Sequence, residues 1–273
     1  MHRIVWALIV LATGWPCCTS NAQDDASPER WPVVFQSDFS RINRAWESLD
    51  PDSWKVEDGR LQLFQKASDY SPPFRSPLHI TLLRTPSVAD FVMDVRVRST
   101  HEHYNHRDVC LFFGYQDPSR YYYVHLGQQT DPRANQIFIV NEADRTKISL
   151  TTTEGTPWDE DWHHVRLVRD SRSGDIRVYF DDMQTPVMTA NDRTFVTGRV
   201  GLGSFDDTAD FDDLSIRSPQ STINLSDSVP ATNHAGPVAM SLPASVMPCR
   251  PVCCCCCFGR CCGIRSRWRG WCR

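Results

Sequence analysis

The chain carries no excess of basic residues. Its 29 Lys and Arg stand against 33 Asp and Glu, a formal net charge of −4. Nucleic-acid binders show a basic stripe, so nucleic acid is not expected as a partner. Beyond the first dozen residues no apolar run approaches the roughly 20 needed to span a bilayer, so no transmembrane segment is expected after signal removal. Nucleophile elbow, dinucleotide fingerprint, phosphate loop and zinc-protease helix are all missing, which removes the enzyme classes that depend on them. No segment sustains a helical period, which argues against an α/β sheet. Cysteine is nearly absent from the body of the chain: between Cys18 and Cys249 there is only Cys110.

What is present divides the chain into four parts. Arg3, the apolar run Ile4 to Ala12, and the small residues Ser20 and Ala22 before Gln23 form the pattern of a secretory signal peptide over residues 1–22. The expected location is therefore secreted, periplasmic or in the cell envelope. Residues 30–217 read as one domain, residues 218–248 as a Ser/Thr/Pro-rich linker, and residues 249–273 as a Cys/Arg-rich low-complexity tail. Five consecutive cysteines, Cys253 to Cys257, cannot all pair locally without strain, so no function is read into the tail.

The domain is strand-like throughout. Phe91, Met93, Val95 and Val97 alternate with Asp94, Arg96 and Arg98, the two-residue period of a half-buried strand. Similar runs occupy 109–115, 121–126, 136–140, 147–150, 163–169, 176–180 and 211–216, with turn residues such as Asp117-Pro118-Ser119 and Ser173-Gly174-Asp175 between them. Short strands without intervening helices predict an all-β, antiparallel sandwich. Cys110, within such a run, is read as a small packing residue.

Several phrases carry a family resemblance. They are Trp54-Lys55-Val56-Glu57-Asp58-Gly59-Arg60-Leu61, Asp90-Phe91-Val92-Met93, Asp161-Trp162-His163-His164-Val165 and Gly174-Asp175-Ile176-Arg177-Val178-Tyr179-Phe180. Gly198-Arg199-Val200-Gly201-Leu202-Gly203 and Phe211-Asp212-Asp213-Leu214 complete the set. In order and spacing they resemble the concanavalin A-like lectin/glucanase superfamily, closest to its laminin-G-like and 3-keto-disaccharide-hydrolase-like domains of exported bacterial proteins. The resemblance implies a jelly roll of two curved sheets with ligand on the concave one. The chain departs from the hydrolase-like pattern: Asn105-His106-Arg107-Asp108 stands where an Asn-Ser-Gly phrase is usual, and the Glu-x-Asp-x-Glu phrase of laminarinase-like glycosidases is missing.

The expected ligand is a glycan or oligosaccharide. Tyr121, Tyr123 and His125 share one strand face and are read as a stacking platform, with Arg96, His106 and Asp108 as polar contacts, because aromatic faces stack on sugar rings and charged groups bond hydroxyls. Asp108, His106 and His125 are also the candidates for acid–base work if the domain is a glycan-processing hydrolase. The third reading is a structural or adhesion domain with a protein partner. Structural Ca²⁺ is expected at the acidic run 206–213, with Asp38 and Asp213 as first ligands, because crowded carboxylates repel one another without a cation.

Overall fold

The computed structural model describes residues 27–40 and 44–219; the segments expected as signal peptide, most of the linker and the tail lie outside the described residues. Among the described residues, sixteen antiparallel strands form two sheets packed as a sandwich, with only single turns of 3-10 helix. The first sheet runs β11 (149–152), β14 (188–191), β13 (175–180), β12 (163–169), β6 (91–99), β16 (209–217), β4 (60–63), β3 (54–57), with β1 (33–37) also paired to β16. The second runs β10 (146–147), β9 (136–141), β8 (120–127), β7 (108–117), β15 (199–204), β5 (79–83), β2 (46–48). No helix of the described residues is long and apolar enough to cross a membrane.

The alternation read from the sequence sets the core. Phe91, Met93, Val95 and Val97 of β6 face Val109, Leu111 and Phe113 of β7 and Tyr122, Val124 and Leu126 of β8 in one buried cluster. Register follows the same pattern: Val95 pairs with Val165, and Leu111 with Val124. The run expected over 147–150 is instead two strands in different sheets, β10 and β11, because the chain passes between the sheets at Ile148.

A second, smaller core lies on the outer face of the second sheet. Residues 64–78, between β4 and β5, form a strap across that face. Its Tyr70 and Phe74 pack on Ile80, Leu82, Cys110, Phe112, Tyr115, Tyr121, Tyr123, Phe138 and Val140. Main-chain bonds fasten it: Leu78 N–H donates to the Phe205 carbonyl, and Arg145 N–H to the Arg75 carbonyl. The aromatic layer fits against the sheet partly because Gly203 is bare: a Cβ there would run into the His79 carbonyl and the Phe112 ring.

Candidate functional site

The strap decides where a ligand can sit. Tyr121 and Tyr123 are fully buried beneath it and His125 is 5 % exposed, so the expected stacking platform is not a surface. Tyr123 stacks on Phe138 at 5.1 Å between ring centres, and its hydroxyl accepts a hydrogen bond from Arg145 Nη1 at 2.9 Å. Alternation correctly put these side chains on one face of β8, but a face of this polarity is as well suited to an aromatic lid as to water. The other expected contacts are dispersed. Arg96 belongs to β6 on the outer face of the opposite sheet, and His106 is exposed in the loop before β7, its ring 6.3 Å from Tyr104.

Asp108 and His125 do come together, in a buried polar nest. Asp108 is 0 % exposed. One of its oxygens accepts from Ser204 Oγ at 3.1 Å, and the other from Phe205 N–H at 2.9 Å and Cys110 Sγ at 3.3 Å, with His125 Nε2 at 3.2 Å. Burial opposes the Asp108 charge, yet the His125 imidazole and the donated hydrogen bonds hold its carboxyl below the usual range. Burial and the Asp108 charge push the Cys110 thiol well above its ordinary value. Next to this pair, Asp207 accepts from the Asp108 N–H at 2.8 Å and from the Tyr104 hydroxyl at 2.8 Å. Burial and the Asp108 charge raise the Asp207 carboxyl to about 6. Both Asp108 oxygens are engaged, as a group that holds β7, β8 and the turn after β15 in place would be.

The acidic run behaves differently at its two ends. Ser37 pairs with Leu214, which brings Asp38 toward Asp213, as expected of the first and last strands. Asp213, however, faces the Arg96 guanidinium at 3.4 Å, and Asp38 accepts from Ser40 N–H at 3.0 Å. Ca²⁺ takes six to eight oxygens. A carboxylate paired with Arg96 on an exposed sheet face would have to give up that partner to join such a set. The donors that converge lie at the other end of the run, around Asp206 and Asp207.

The outer face of the first sheet is a lattice of ion pairs. Asp94 accepts from His164 Nε2 at 2.8 Å, Arg166 Nε at 2.7 Å and Arg217 Nη1 at 2.8 Å. Burial opposes its charge, but these bonds hold the carboxyl below its ordinary 3.8. The stabilisation is therefore present above 3.8 and is lost as pH falls through the lowered folded value. Asp94→Asn is expected to cost about 2 kcal/mol at pH 7. In urea titrations at pH 7 and pH 3, the gap between variant and wild type should shrink at the lower pH.

Among the described residues, one surface with a shape that could hold a ligand lies at the edge of the strap. An open groove of about 850 Å³ is walled by Tyr70, Pro73 and Phe74 on one side and by Asp117, Arg120 and Glu142 on the other. The strap supplies the aromatic wall; the β7–β8 turn and the residue after β9 supply the charged rim. Arg120 holds Asp117 Oδ2 through Nε at 2.9 Å and Nη2 at 2.6 Å. That pair is half exposed, and only two of the five guanidinium N–H donors are engaged with Asp117. The Tyr70 hydroxyl is buried without a hydrogen-bond partner, and burial raises its pKa to about 12. Tyr70 and Phe74 carried no sequence signal, because they sit in an aperiodic Ser/Pro-rich stretch, and Arg120 stands only at the head of the 121–126 run.

No protein-family model matches the chain, and no curated protein matches it. Solved structures do. The carbohydrate binding module CBM66 from Bacillus subtilis is 18% identical, with a TM-score of 0.49 over 64% of this chain and 96% of that one. A Bacillus subtilis protein of unknown function with a galectin-like fold is 11% identical, with a TM-score of 0.47 over 68% and 96%. The GH43 protein BlXynB from Bacillus licheniformis is 13% identical, with a TM-score of 0.48 over 69% of this chain but only 40% of its own length. Likeness at this level leaves the functional reading to the chain's own residues.

Proposed function

We propose that the domain is a non-catalytic carbohydrate-binding module of the concanavalin A-like type, exported to the cell envelope or beyond, which holds an oligosaccharide in the strap-edge groove. The observation that carries this reading is the pairing of an aromatic wall with a half-engaged guanidinium and two carboxylates across an open groove. Tyr70 and Phe74 would supply apolar contact to the C–H faces of a sugar, and Arg120, Asp117 and Glu142 would meet its hydroxyls. Hydrolysis draws less support. Of the carboxylates on the two sheets, Asp108 is sealed and fully bonded, Asp94 is bonded to the His164 imidazole and two guanidinium groups, and Asp117 is held by Arg120.

A glycan array followed by calorimetry on the full chain tests the proposal. Phe74→Ala and Arg120→Ala are each expected to weaken the captured glycan at least about tenfold, the equivalent of 1.4 kcal/mol. Arg96→Ala, on the opposite sheet, should leave affinity unchanged. Turnover of the glycan, or equal binding by all three variants, would remove the reading.

A further inference from the structure

The polar nest beneath the end of the strap holds three donors of different chemistry at one point. Asp108 Oδ2 is 3.2 Å from His125 Nε2 and 3.3 Å from Cys110 Sγ, and all three donor atoms lie within 4.8 Å of one another. In a tetrahedral zinc site, with bonds of about 2.0 Å to nitrogen and oxygen and about 2.3 Å to sulfur, the N···O and S···O edges are about 3.3 and 3.5 Å. Two of the three edges thus match such a tetrahedron, and the third, between Cys110 Sγ and His125 Nε2, is no longer than 4.8 Å. Rigid strands set the spacing: Asp108 and Cys110 are two residues apart on one face of β7, and His125 is the residue paired with Cys110 on β8.

A second observation concerns the imidazole. His125 is 95 % buried, yet its Nδ1 has no hydrogen-bond partner. Gln136, the residue opposite it on β9, is also buried, and its Oε1 likewise lacks a donor, while its Nε2 is engaged with the Asp131 carbonyl. A metal on Nε2 fixes the proton on Nδ1 and makes that nitrogen a donor, and metal-bound histidines characteristically pass this N–H to a carbonyl or carboxylate. Gln136 Oε1, on the residue paired with His125, is not bonded to Nδ1 in this structure and would take that N–H once an ion fixed it. Asp206 is the exposed neighbour: it has a carboxylate oxygen within 4.8 Å of donors from Asp108 and Asp207 but does not converge with Cys110 and His125 as it stands, so its side chain would turn toward the nest to complete the set.

We propose that Asp108, Cys110 and His125 form a binding site for a thiophilic divalent cation, zinc above all, with Asp206 as the fourth ligand at the solvent side. The thiolate and imidazole select zinc over calcium or magnesium, which take oxygen ligands. Binding releases the Cys110 thiol proton to solvent. The ion would fasten β7, β8 and the turn after β15 at one point, so its effect is on stability, and the site is separate from the glycan groove.

The test uses the full chain, stripped with chelator and titrated with Zn²⁺. Cysteines outside the described residues are common to all variants, so differences between variants report this site. At a free Zn²⁺ concentration of one hundred times Kd, wild type is expected to gain about 5–10 °C in Tm. Cys110→Ala should lose that gain and retain one equivalent of zinc fewer than wild type. Asp206→Asn, a surface change that leaves the core intact, should cut the gain at least by half and keeps the test valid if Cys110→Ala folds poorly. No rise in wild type, or an equal rise and equal zinc content in all three proteins, would overturn the site. A full rise in Asp206→Asn alone would remove Asp206 from it.

Discussion

Asp108→Ala is expected to destabilise the metal-free protein by about 3–5 kcal/mol, the cost of leaving several buried donors at once without their shared acceptor. The carboxylate has no exposed surface and is met by Ser204 Oγ, Phe205 N–H, Cys110 Sγ and His125 Nε2. Its removal leaves those groups facing a dry void, and each buried donor without an acceptor loses its desolvation energy in full. Asp108→Asn keeps the shape and one acceptor oxygen, so it should cost less. Urea titration in the presence of chelator measures both. A loss below about 1 kcal/mol for the alanine variant would mean that the nest is open to water.

Tyr123→Ala should cost a similar amount, about 3–5 kcal/mol, as for a large aromatic deleted from a core. Tyr123 is fully buried, stacked on Phe138 and Phe112, and bonded through its hydroxyl to Arg145, whose guanidinium lies 4.8 Å over Phe138 and 4.5 Å over Phe205. Tyr123→Phe removes only the hydroxyl and should cost about 1 kcal/mol. If Tyr123 instead stacked on ligand at a surface, the alanine variant would keep its Tm and lose binding. The two outcomes are separated by thermal melting of the free protein.

The reason for that contrast is where the sequence was legible and where it was not. Strands with one face in the inter-sheet core, such as Phe91–Ser99, announced themselves through strict alternation, and every residue assigned inward there is buried. The same alternation separated Tyr122, Val124 and Leu126 from Tyr121, Tyr123 and His125. It could not say what covers the second set, because the cover is a strap without periodicity, 64–78, whose Tyr70 and Phe74 take their meaning from the sheet they land on. Arg96 lies on a different face from Tyr121 and Tyr123, because alternation gives a side chain's direction relative to its own strand only, and β6 and β8 belong to different sheets. The Asp108–Cys110–His125 convergence needed register: Cys110 opposite His125 follows from a pairing in which one bulge lies between Phe113 and Asp117.

The account depends most on the ligand surface being the groove outside the strap rather than the sheet beneath it. Chemical-shift mapping of the isotope-labelled chain with its captured oligosaccharide tests this directly. The largest changes are predicted at the amides of Tyr70, Phe74, Arg120 and Glu142, with those of Tyr121, Tyr123 and His125 little moved. Changes centred on β8 beneath the strap, or on the Arg96 face of the other sheet, would contradict it.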